Sequence, residues 1–209
     1  MRISPSAILF DYGNVLSQPQ PAADAQAMAD ILDLPLARFT EIYWQFRVEY
    51  DAAALDPIAY WITVAQTASR PLTRDQIAAL IEIDSRSWSH PDPVTPQWAR
   101  RLRAAGLRTA ILSNMPAPVR DYVLRCPWLP AFDARVFSCE VGVCKPAPEI
   151  YWDCLNKVGS APADVLFLDD RESNVRAAQA LGLHAVLFTN PSAAAREIAS
   201  NFHLPVTLE

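Results

Sequence analysis

The stretch Ala7-Ile-Leu-Phe-Asp11-Tyr-Gly-Asn14 decides the fold, because four apolar residues run directly into a carboxylate and a turn. An unbroken apolar run of this length predicts a strand that is buried on both faces, as in a parallel sheet. Similar runs follow at 109–112, 135–137, 165–168 and 185–188, and helical patterns occur at 95–103, 149–158 and 172–181. Thr95-Pro96 predicts the start of the first of these helices, with Thr95 as its N-cap. Strands that alternate with helices predict an α/β fold with a Rossmann-like parallel sheet.

The region from residue 22 to residue 90 contains helical patterns only. An apolar stripe with spacings of 3, 4, 3 and 4 residues predicts one helix face, formed by Leu36, Phe39, Tyr43, Phe46 and Tyr50. Asp56-Pro57 and the capping box Thr73-Arg-Asp-Gln76 predict the starts of two more helices. Proline-rich segments flank the region at 18–21 and 91–96. These patterns predict an all-helical cap domain, residues 17–90, inserted into an α/β core of residues 1–16 and 91–209.

The composition restricts the class of protein and of partner. The chain has 209 residues, of which 51% are hydrophobic and 20% are charged, as is typical of folded globular proteins. Its net charge of −5 argues against binding to nucleic acid or to an anionic membrane surface. No apolar run approaches the ~18 residues that cross a bilayer, and the first residues lack the pattern of a secretion signal. We therefore expect a cytoplasmic protein, and its oligomeric state stays open.

Cysteine, histidine and glycine usage argues against several cofactors. The four cysteines form no C-x-x-C pair, and none of the three histidines is grouped with them, so a zinc site is disfavoured. The chain has only five glycines and contains neither a G-x-G-x-x-G nor a Walker sequence. Dinucleotide-binding and P-loop proteins are therefore not indicated by motif.

Polar groups stand directly after the predicted strands, where ligands bind in open parallel sheets. They are Asp11-Tyr-Gly-Asn14, Ser113-Asn114 and Asp169-Asp170-Arg-Glu-Ser-Asn174, and Lys145 adds a cation before a predicted helix. Carboxylates that meet at one sheet edge repel each other, and a hard cation such as Mg²⁺ is the usual compensation. A hydroxyl, backbone N–H groups and a lysine beside that cation form a phosphate site. Each piece alone is common in turns or on surfaces, but their occurrence together favours a functional site.

This set of motifs resembles the haloacid dehalogenase-like (HAD) superfamily over nearly the whole chain, and the forms Asp-Tyr-Gly-Asn-Val and Asp-Asp-x-x-x-Asn are most similar to its glucose-1-phosphate phosphatase-like branch. The resemblance implies an inserted helical cap. It also implies a Mg²⁺-dependent phosphatase that hydrolyses small phosphomonoesters, sugar phosphates among them, through an aspartyl-phosphate on Asp11. The implied phosphate-binding residues are Ser113, Asn114 and Lys145. The implied metal ligands are Asp11, the Gly13 carbonyl and Asp170, with Asp169 beside them and Asn174 in support.

One position departs from the family pattern. Most family phosphatases carry a second aspartate two residues after the nucleophile as general acid and base, and this chain has Gly13 there. The leaving oxygen then departs nearly as its anion, unless another group, from the cap for example, supplies the proton. Because of this departure, one alternative to a phosphatase is a module that retains the fold but has little or no turnover. A metal-free 2-haloacid dehalogenase is the other alternative, although Asp169-Asp170 favours phosphate chemistry.

Substrate choice is expected to depend on the cap. Trp44, Arg47 and Tyr50 lie on or beside the apolar stripe. We expect Trp44 and Tyr50 in the cap core, with the Arg47 side chain reaching from the stripe to solvent. Arg171, which directly follows the acidic pair, is expected to form a surface ion pair.

Overall fold

A parallel sheet lies at the centre of the computed structural model, which describes residues 2–208. Its order is β3-β2-β1-β4-β5, and all four pairings are parallel. Both β1 and β4 are buried along their whole length, as expected for strands that are covered on both faces. The predicted α/β fold is thus confirmed. In chain order the strands are β1 Ala7–Phe10, β2 Arg108–Ser113, β3 Ala134–Phe137, β4 Val165–Asp169 and β5 His184–Leu187.

Five helices occupy the stretch between β1 and the proline-rich segment that precedes β2. They pack around a hydrophobic cluster of their own, which includes the buried side chains of Phe39, Tyr43, Tyr50, Tyr60 and Trp61. We call this stretch the helical insert. Its helices are α1 Ala22–Ile31, α2 Leu36–Gln45, α3 Arg47–Asp51, α4 Pro57–Thr67 and α5 Arg74–Ser87.

The apolar stripe does not form one continuous helix, and in this respect the prediction is wrong. Phe46 separates α2 from α3, with φ of −114° and ψ of 16°. The break accompanies contacts between α3 and the sheet region. Ser138 Oγ donates to the Asp51 carbonyl at 2.6 Å, and Cys144 Sγ donates to the Val48 carbonyl at 3.6 Å.

The two connections to the helical insert run side by side. Ser17 and Pro91 form an antiparallel bridge. The Gln18 N–H donates to the His90 carbonyl at 2.7 Å, and the Asp92 N–H donates to the Leu16 carbonyl at 2.8 Å. The chain therefore leaves the sheet region and returns to it at one place.

The remaining helices cover both faces of the sheet. Ile8 and Phe10 of β1 belong to the hydrophobic cluster on one face, and Ala7 and Leu9 belong to the cluster on the other. None of the described helices is long and apolar enough to span a bilayer. The helices that follow the helical insert and cover the sheet are α6 Thr95–Ala104, α7 Ala117–Val123, α8 Ser138–Val141, α9 Pro148–Val158, α10 Glu172–Ala180 and α11 Pro191–Asn201.

The start of α6 differs from the sequence-based expectation. Thr95 is its first helical residue and not its N-cap. The Asp92 carboxylate accepts hydrogen bonds from the N–H groups of Val94 and Thr95, at 2.9 and 2.8 Å. Asp92 thus accepts two of the backbone N–H groups at the start of α6 that have no partner within the helix.

Candidate active site

The carboxyl ends of β1, β2 and β4 meet at one edge of the sheet, because β1 lies between the other two strands. Phe10 is in register with Ile111 of β2 and with Leu168 of β4. The residues that follow these positions therefore come together. Carboxylate oxygens of Asp11, Asp169 and Asp170 all lie within 4.8 Å of one another. We call these three residues the acidic cluster.

Lys145 places one positive charge beside the negative charges of the acidic cluster. Its Nζ lies 2.8 Å from Asp11 Oδ1, 2.6 Å from Asp169 Oδ2 and 2.8 Å from the Leu112 carbonyl oxygen. Burial alone would lower the pKa of Lys145, but the charges of Asp11 and Asp169 outweigh it and raise that pKa above its usual value. The ammonium group therefore stays charged, and all three of its protons are engaged.

Asp11 is held through one carboxylate oxygen only. Its Oδ1 accepts hydrogen bonds from the Tyr12 N–H at 2.7 Å and from Lys145, whereas Oδ2 accepts none from residues 2–208. Burial raises the pKa of Asp11 to about 7 against the pull of Lys145, and the charges of Asp169 and Asp170 raise it further. One lysine thus does not balance three carboxylates, so the cluster has the charge and the oxygen donors to attract a divalent cation.

The two adjacent aspartates have different surroundings. Asp169 is fully buried, and both of its oxygens accept hydrogen bonds: from the Arg171 N–H at 2.8 Å, from Asn174 Nδ2 at 3.0 and 3.1 Å, and from Lys145. Asp170 is half-buried, and its Oδ2 accepts a hydrogen bond from Asn14 Nδ2 at 2.7 Å. Asp169 therefore orients the lysine, while Asp170 Oδ1 accepts no hydrogen bond from the described residues.

The turn after β2 fixes the segment that carries Lys145. Asn114 Nδ2 donates to the Lys145 carbonyl at 2.9 Å, and the Lys145 N–H donates to Asn114 Oδ1 at 2.8 Å. Ser113 is buried at the end of β2, and its Oγ makes only a long contact of 3.5 Å to the Asn114 carbonyl. Its hydroxyl is therefore free of a strong hydrogen bond to the described part of the chain.

A cavity of about 170 Å³ opens above these residues, between the sheet edge and the helical insert. From the sheet side it is lined by Asp11, Gly13, Asn114, Lys145, Asp170 and Asn174, together with Arg171 and the apolar Met115 and Val119. Ser113 does not line it. A larger groove of about 840 Å³ lies near the start of β2 and contains none of the acidic cluster.

The helical insert contributes four side chains to this cavity: Trp44, Arg47, Asp51 and Trp88. Sequence reasoning did not single out Asp51 or Trp88. The spacing of Arg47 and Asp51 indicates a helical ion pair, but no pattern shows that this pair faces the sheet edge. Trp88 packs beside Gly13, where an added Cβ would lie 3.7 Å from Trp88 Cζ3, an ordinary contact distance.

Two expectations for the insert are wrong, and one is confirmed. Arg47 does not reach solvent, because its guanidinium pairs with Asp51 Oδ1 at 2.8 Å and with Asp84 Oδ2 at 3.2 Å. Trp44 is not part of the cap core, since 40% of it is exposed. Tyr50 is buried as expected and stacks on Tyr60 with 4.1 Å between ring centroids.

Arg171 also differs from its expected role as a surface ion-pair partner. Its guanidinium lies over the Trp44 ring, 5.6 Å from the centroid, and so connects the end of β4 to the insert. Arg47 lies 5.9 Å from the centroid of the same ring. Trp44 thus contacts one cation from each side of the cavity.

The family model of haloacid dehalogenase-like hydrolases matches residues 5–182, so the chain belongs to this family. Its α/β core and its strand-end motifs agree with this membership. Three curated relatives and two solved structures show how widely its sequence and fold are shared.

The sesquiterpene phosphatase astK of Aspergillus oryzae is 27% identical over 196 residues, which cover 92% of this chain and 94% of that protein. Acyl-CoA dehydrogenase family member 10 of Mus musculus is 35% identical over 122 residues, or 56% of this chain. Bifunctional epoxide hydrolase 2 of Rattus norvegicus is 27% identical over 206 residues, or 90% of this chain. The chain spans only 11% and 37% of the lengths of these last two proteins.

Solved structures share the fold over most of the chain. L-2-haloacid dehalogenase from Xanthobacter autotrophicus, with chloropropionic acid covalently bound, has a TM-score of 0.67 at 25% identity, covering 96% of this chain and 85% of that one. A HAD family enzyme from Bacteroides thetaiotaomicron, in complex with magnesium and inorganic phosphate, has a TM-score of 0.65 at 20% identity. The match covers 88% of this chain and 93% of the chain of that enzyme.

Proposed function

We propose that this hydrolase is a Mg²⁺-dependent phosphatase that acts on small phosphomonoesters through an aspartyl-phosphate on Asp11. The observation that carries the proposal is the acidic cluster, whose oxygens lie within 4.8 Å of one another beside a single lysine. Three carboxylates in that arrangement suit a divalent cation, which in turn can bind a phosphate dianion. A metal-free dehalogenase has no such cation to offset the repulsion between these carboxylates and its anionic halocarboxylate substrate.

The chain's own residues fit a Mg²⁺ ion. Asp11 and Asp170 would each supply one carboxylate oxygen, and the Gly13 carbonyl completes the set that the family resemblance suggests; Asp11 Oδ2 would stay available for attack. Asp169 lies in the same cluster, but its oxygens already hold Lys145, Asn174 and the Arg171 N–H, so we assign it to orientation. When bound, Mg²⁺ would reduce the repulsion between the Asp11 carboxylate and the incoming phosphate. The Bacteroides thetaiotaomicron enzyme, solved with magnesium and phosphate, has the same fold and supports this assignment.

Each remaining residue then has a defined task. Asp11 Oδ2, which accepts no hydrogen bond from the described residues, attacks the phosphorus. Lys145 exchanges its contact with Asp11 for a phosphoryl oxygen as the ester forms, and Asp169 keeps it in place. Asn114, which lines the cavity, holds another oxygen through its N–H. The family resemblance also assigns the Ser113 hydroxyl to the phosphate, although Ser113 lies behind the residues that line the cavity. Water then hydrolyses the aspartyl-phosphate and restores the Asp11 carboxylate.

The cavity limits the size of the substrate. Its volume of about 170 Å³ is below the ~300–1,000 Å³ of typical ligand pockets, so the organic part of the substrate is small. A small phosphorylated metabolite of the sugar phosphate kind satisfies that limit. We also infer that residues 17–90 act as the cap over a core of 1–16 and 91–209, since the insert has its own hydrophobic cluster and supplies one wall of the cavity.

The test is a phosphate-release screen over sugar phosphates, nucleotides and small phosphomonoesters, with Mg²⁺ and with EDTA. We expect Mg²⁺-dependent turnover that is confined to small substrates and is lost in Asp11→Asn, because an amide is not a nucleophile. Chloride release from L-2-chloropropionate in EDTA would favour the dehalogenase alternative. Phosphate binding without repeated turnover would favour the non-catalytic alternative.

A further inference from the structure

The cavity contains one carboxyl group that the proposed phosphatase mechanism does not use. Among residues 2–208, the acidic residues that line it are Asp11, Asp51 and Asp170. The first is assigned as nucleophile and the third as metal ligand. Asp51 comes from the helical insert and lies outside the acidic cluster. In most family phosphatases an aspartate two residues after the nucleophile supplies the proton. In this chain that position is Gly13, which has no side chain.

Asp51 is fixed relative to the sheet edge through its backbone. Ser138 Oγ donates to the Asp51 carbonyl at 2.6 Å and accepts a hydrogen bond from the Met115 N–H at 2.9 Å. Met115 follows β2, and Ser138 follows β3. The C-terminal end of α3 is thus attached to the ends of two strands beside Asp11. This attachment holds the Asp51 side chain at the cavity, as a proton donor requires.

The cation that pairs with Asp51 is shared with a second carboxylate, so the charge of Asp51 is only partly compensated. Arg47 is one cation between two carboxylates, Asp51 and Asp84. Arg47 Nε donates to Asp51 Oδ1, and Asp51 Oδ2 accepts no hydrogen bond from the part of the chain that the structure describes. The side chain of Asp84 is 1% exposed and that of Asp51 is 12% exposed. Asp51 is therefore the member of the trio that exchanges protons with the cavity.

The pKa values of the groups around Asp51 agree with this picture. Burial raises the pKa of Asp51 to about 6, against Arg47, while Asp84 raises it further and Arg171 lowers it. The neighbouring thiols of Cys139 and Cys144 are neutral, because burial raises the pKa of each to about 11. The phenols of Tyr43, Tyr50 and Tyr60 also stay neutral, since burial raises their pKa values. Arg47, Asp84 and Arg171 are thus the charged groups that act on Asp51.

We propose that Asp51, from the helical insert, is the proton donor and acceptor that replaces the missing side chain at Gly13. The inference rests on the proposed phosphatase function. In the first step the bond between Asp11 Oδ2 and phosphorus forms as the bond from phosphorus to the leaving oxygen breaks. The leaving oxygen keeps that electron pair and takes the proton of Asp51. In the second step the Asp51 carboxylate takes a proton from water, and the water oxygen displaces Asp11 from phosphorus.

The experiment compares kcat/KM for alkyl phosphates and for nitrophenyl phosphate, at saturating Mg²⁺, in wild type and in Asp51→Asn. General acid catalysis contributes ~10²–10⁴-fold, so Asp51→Asn should lower kcat/KM for alkyl phosphates by that factor. The nitrophenyl ester leaves as a stable anion and should lose less than about tenfold. Glu49→Gln, which removes an exposed carboxylate from the same helix, is the matched control and should leave kcat/KM unchanged for both substrates.

A second measurement on the wild-type enzyme alone covers the case in which Asp51→Asn does not fold. The ratio of kcat/KM for alkyl to nitrophenyl phosphate should fall as pH rises, because only the alkyl ester needs the proton. A ratio independent of pH, or an equal loss for both substrates in folded Asp51→Asn, would overturn the inference while leaving the phosphatase intact. Absence of turnover by wild type with every phosphomonoester would overturn the phosphatase itself.

Discussion

Lys145 Nζ and Asp169 Oδ2 lie 2.6 Å apart, and neither side chain has more than 1% of its surface exposed. The pair links the segment before α9 to the end of β4, and the same ammonium also contacts Asp11. A buried pair of this kind gives little net stability by itself, but removing one partner leaves the other charge unpaired. Its value here is therefore positional, because it holds a cation beside Asp11, the carboxylate that the proposed mechanism phosphorylates.

Lys145→Ala should lower kcat/KM by roughly 30- to 1,000-fold, since preorganised donors to a transition state contribute ~2–4 kcal/mol. Steady-state kinetics at saturating Mg²⁺, with the folded fraction checked by circular dichroism, measures this. Lys157→Ala on α9 is the control, because that side chain is 45% exposed and its ion pair with Asp153 lies outside the cavity. A loss of less than threefold for Lys145→Ala would remove the lysine from the mechanism.

Substitutions of Asp169 and of Asp170 should have different effects in a Mg²⁺ titration. Asp170→Asn removes a proposed ligand, so we expect at least a tenfold rise in the Mg²⁺ concentration that gives half-maximal activity. Asp169→Asn should raise it less and should instead lower kcat, because Lys145 loses its orienting partner. Calorimetric Mg²⁺ binding provides a readout that does not depend on turnover. The reverse order of the two effects would exchange the roles assigned here.

Asp11→Asn should stabilise the metal-free protein while it abolishes turnover. It removes one of three carboxylates that a single lysine faces, and relief of repulsion at functional sites is worth about 0.5–2 kcal/mol. For a chain of this size that corresponds to a rise in Tm of roughly 1–8 °C. Thermal melts in EDTA measure it, and the difference should shrink in Mg²⁺. A lower Tm in EDTA would show that Lys145 already balances the cluster.

Gly13→Asp should restore activity to Asp51→Asn on alkyl phosphates. The backbone accepts a side chain there, since the added Cβ would make only an ordinary contact with Trp88. The double variant should recover at least tenfold in kcat/KM over Asp51→Asn, because a carboxyl again stands two residues after the nucleophile. Gly13→Asn in the same background is the control without a titratable proton. Equal recovery by both would attribute the gain to packing.

The sheet-edge residues were predictable because their placement follows from short-range patterns. Apolar runs that end in Asp11, Ser113 and Asp169 predict buried strands, and parallel order brings their ends together. Asp11, Asp169 and Asp170 accordingly meet as expected, and Lys145 reaches them. The sequence did not predict that Asp169 would orient Lys145 while Asp170 stays less occupied, because this difference depends on hydrogen bonds from Asn174 and Asn14.

The insert side of the cavity was not predictable for a physical reason. The orientation of α3 depends on contacts between residues far apart in the chain, such as the one from Ser138 to the Asp51 carbonyl. The helical period places Arg47 and Trp44 relative to their own helices but not relative to the sheet. Both side chains were therefore assigned to the wrong surroundings, and Asp51 was overlooked.

The bridge between Ser17 and Pro91 makes the insert a module for protein engineering. Facing residues of an antiparallel bridge lie ~4.5–5.5 Å apart, a gap that a two-residue turn closes. Residues 18–90 can therefore be exchanged for the insert of another family member without moving β1 or α6. Such chimaeras should transfer substrate choice and proton supply together, since the proposed mechanism assigns both to the exchanged segment, while Asp11, Lys145 and Asp170 stay with the recipient.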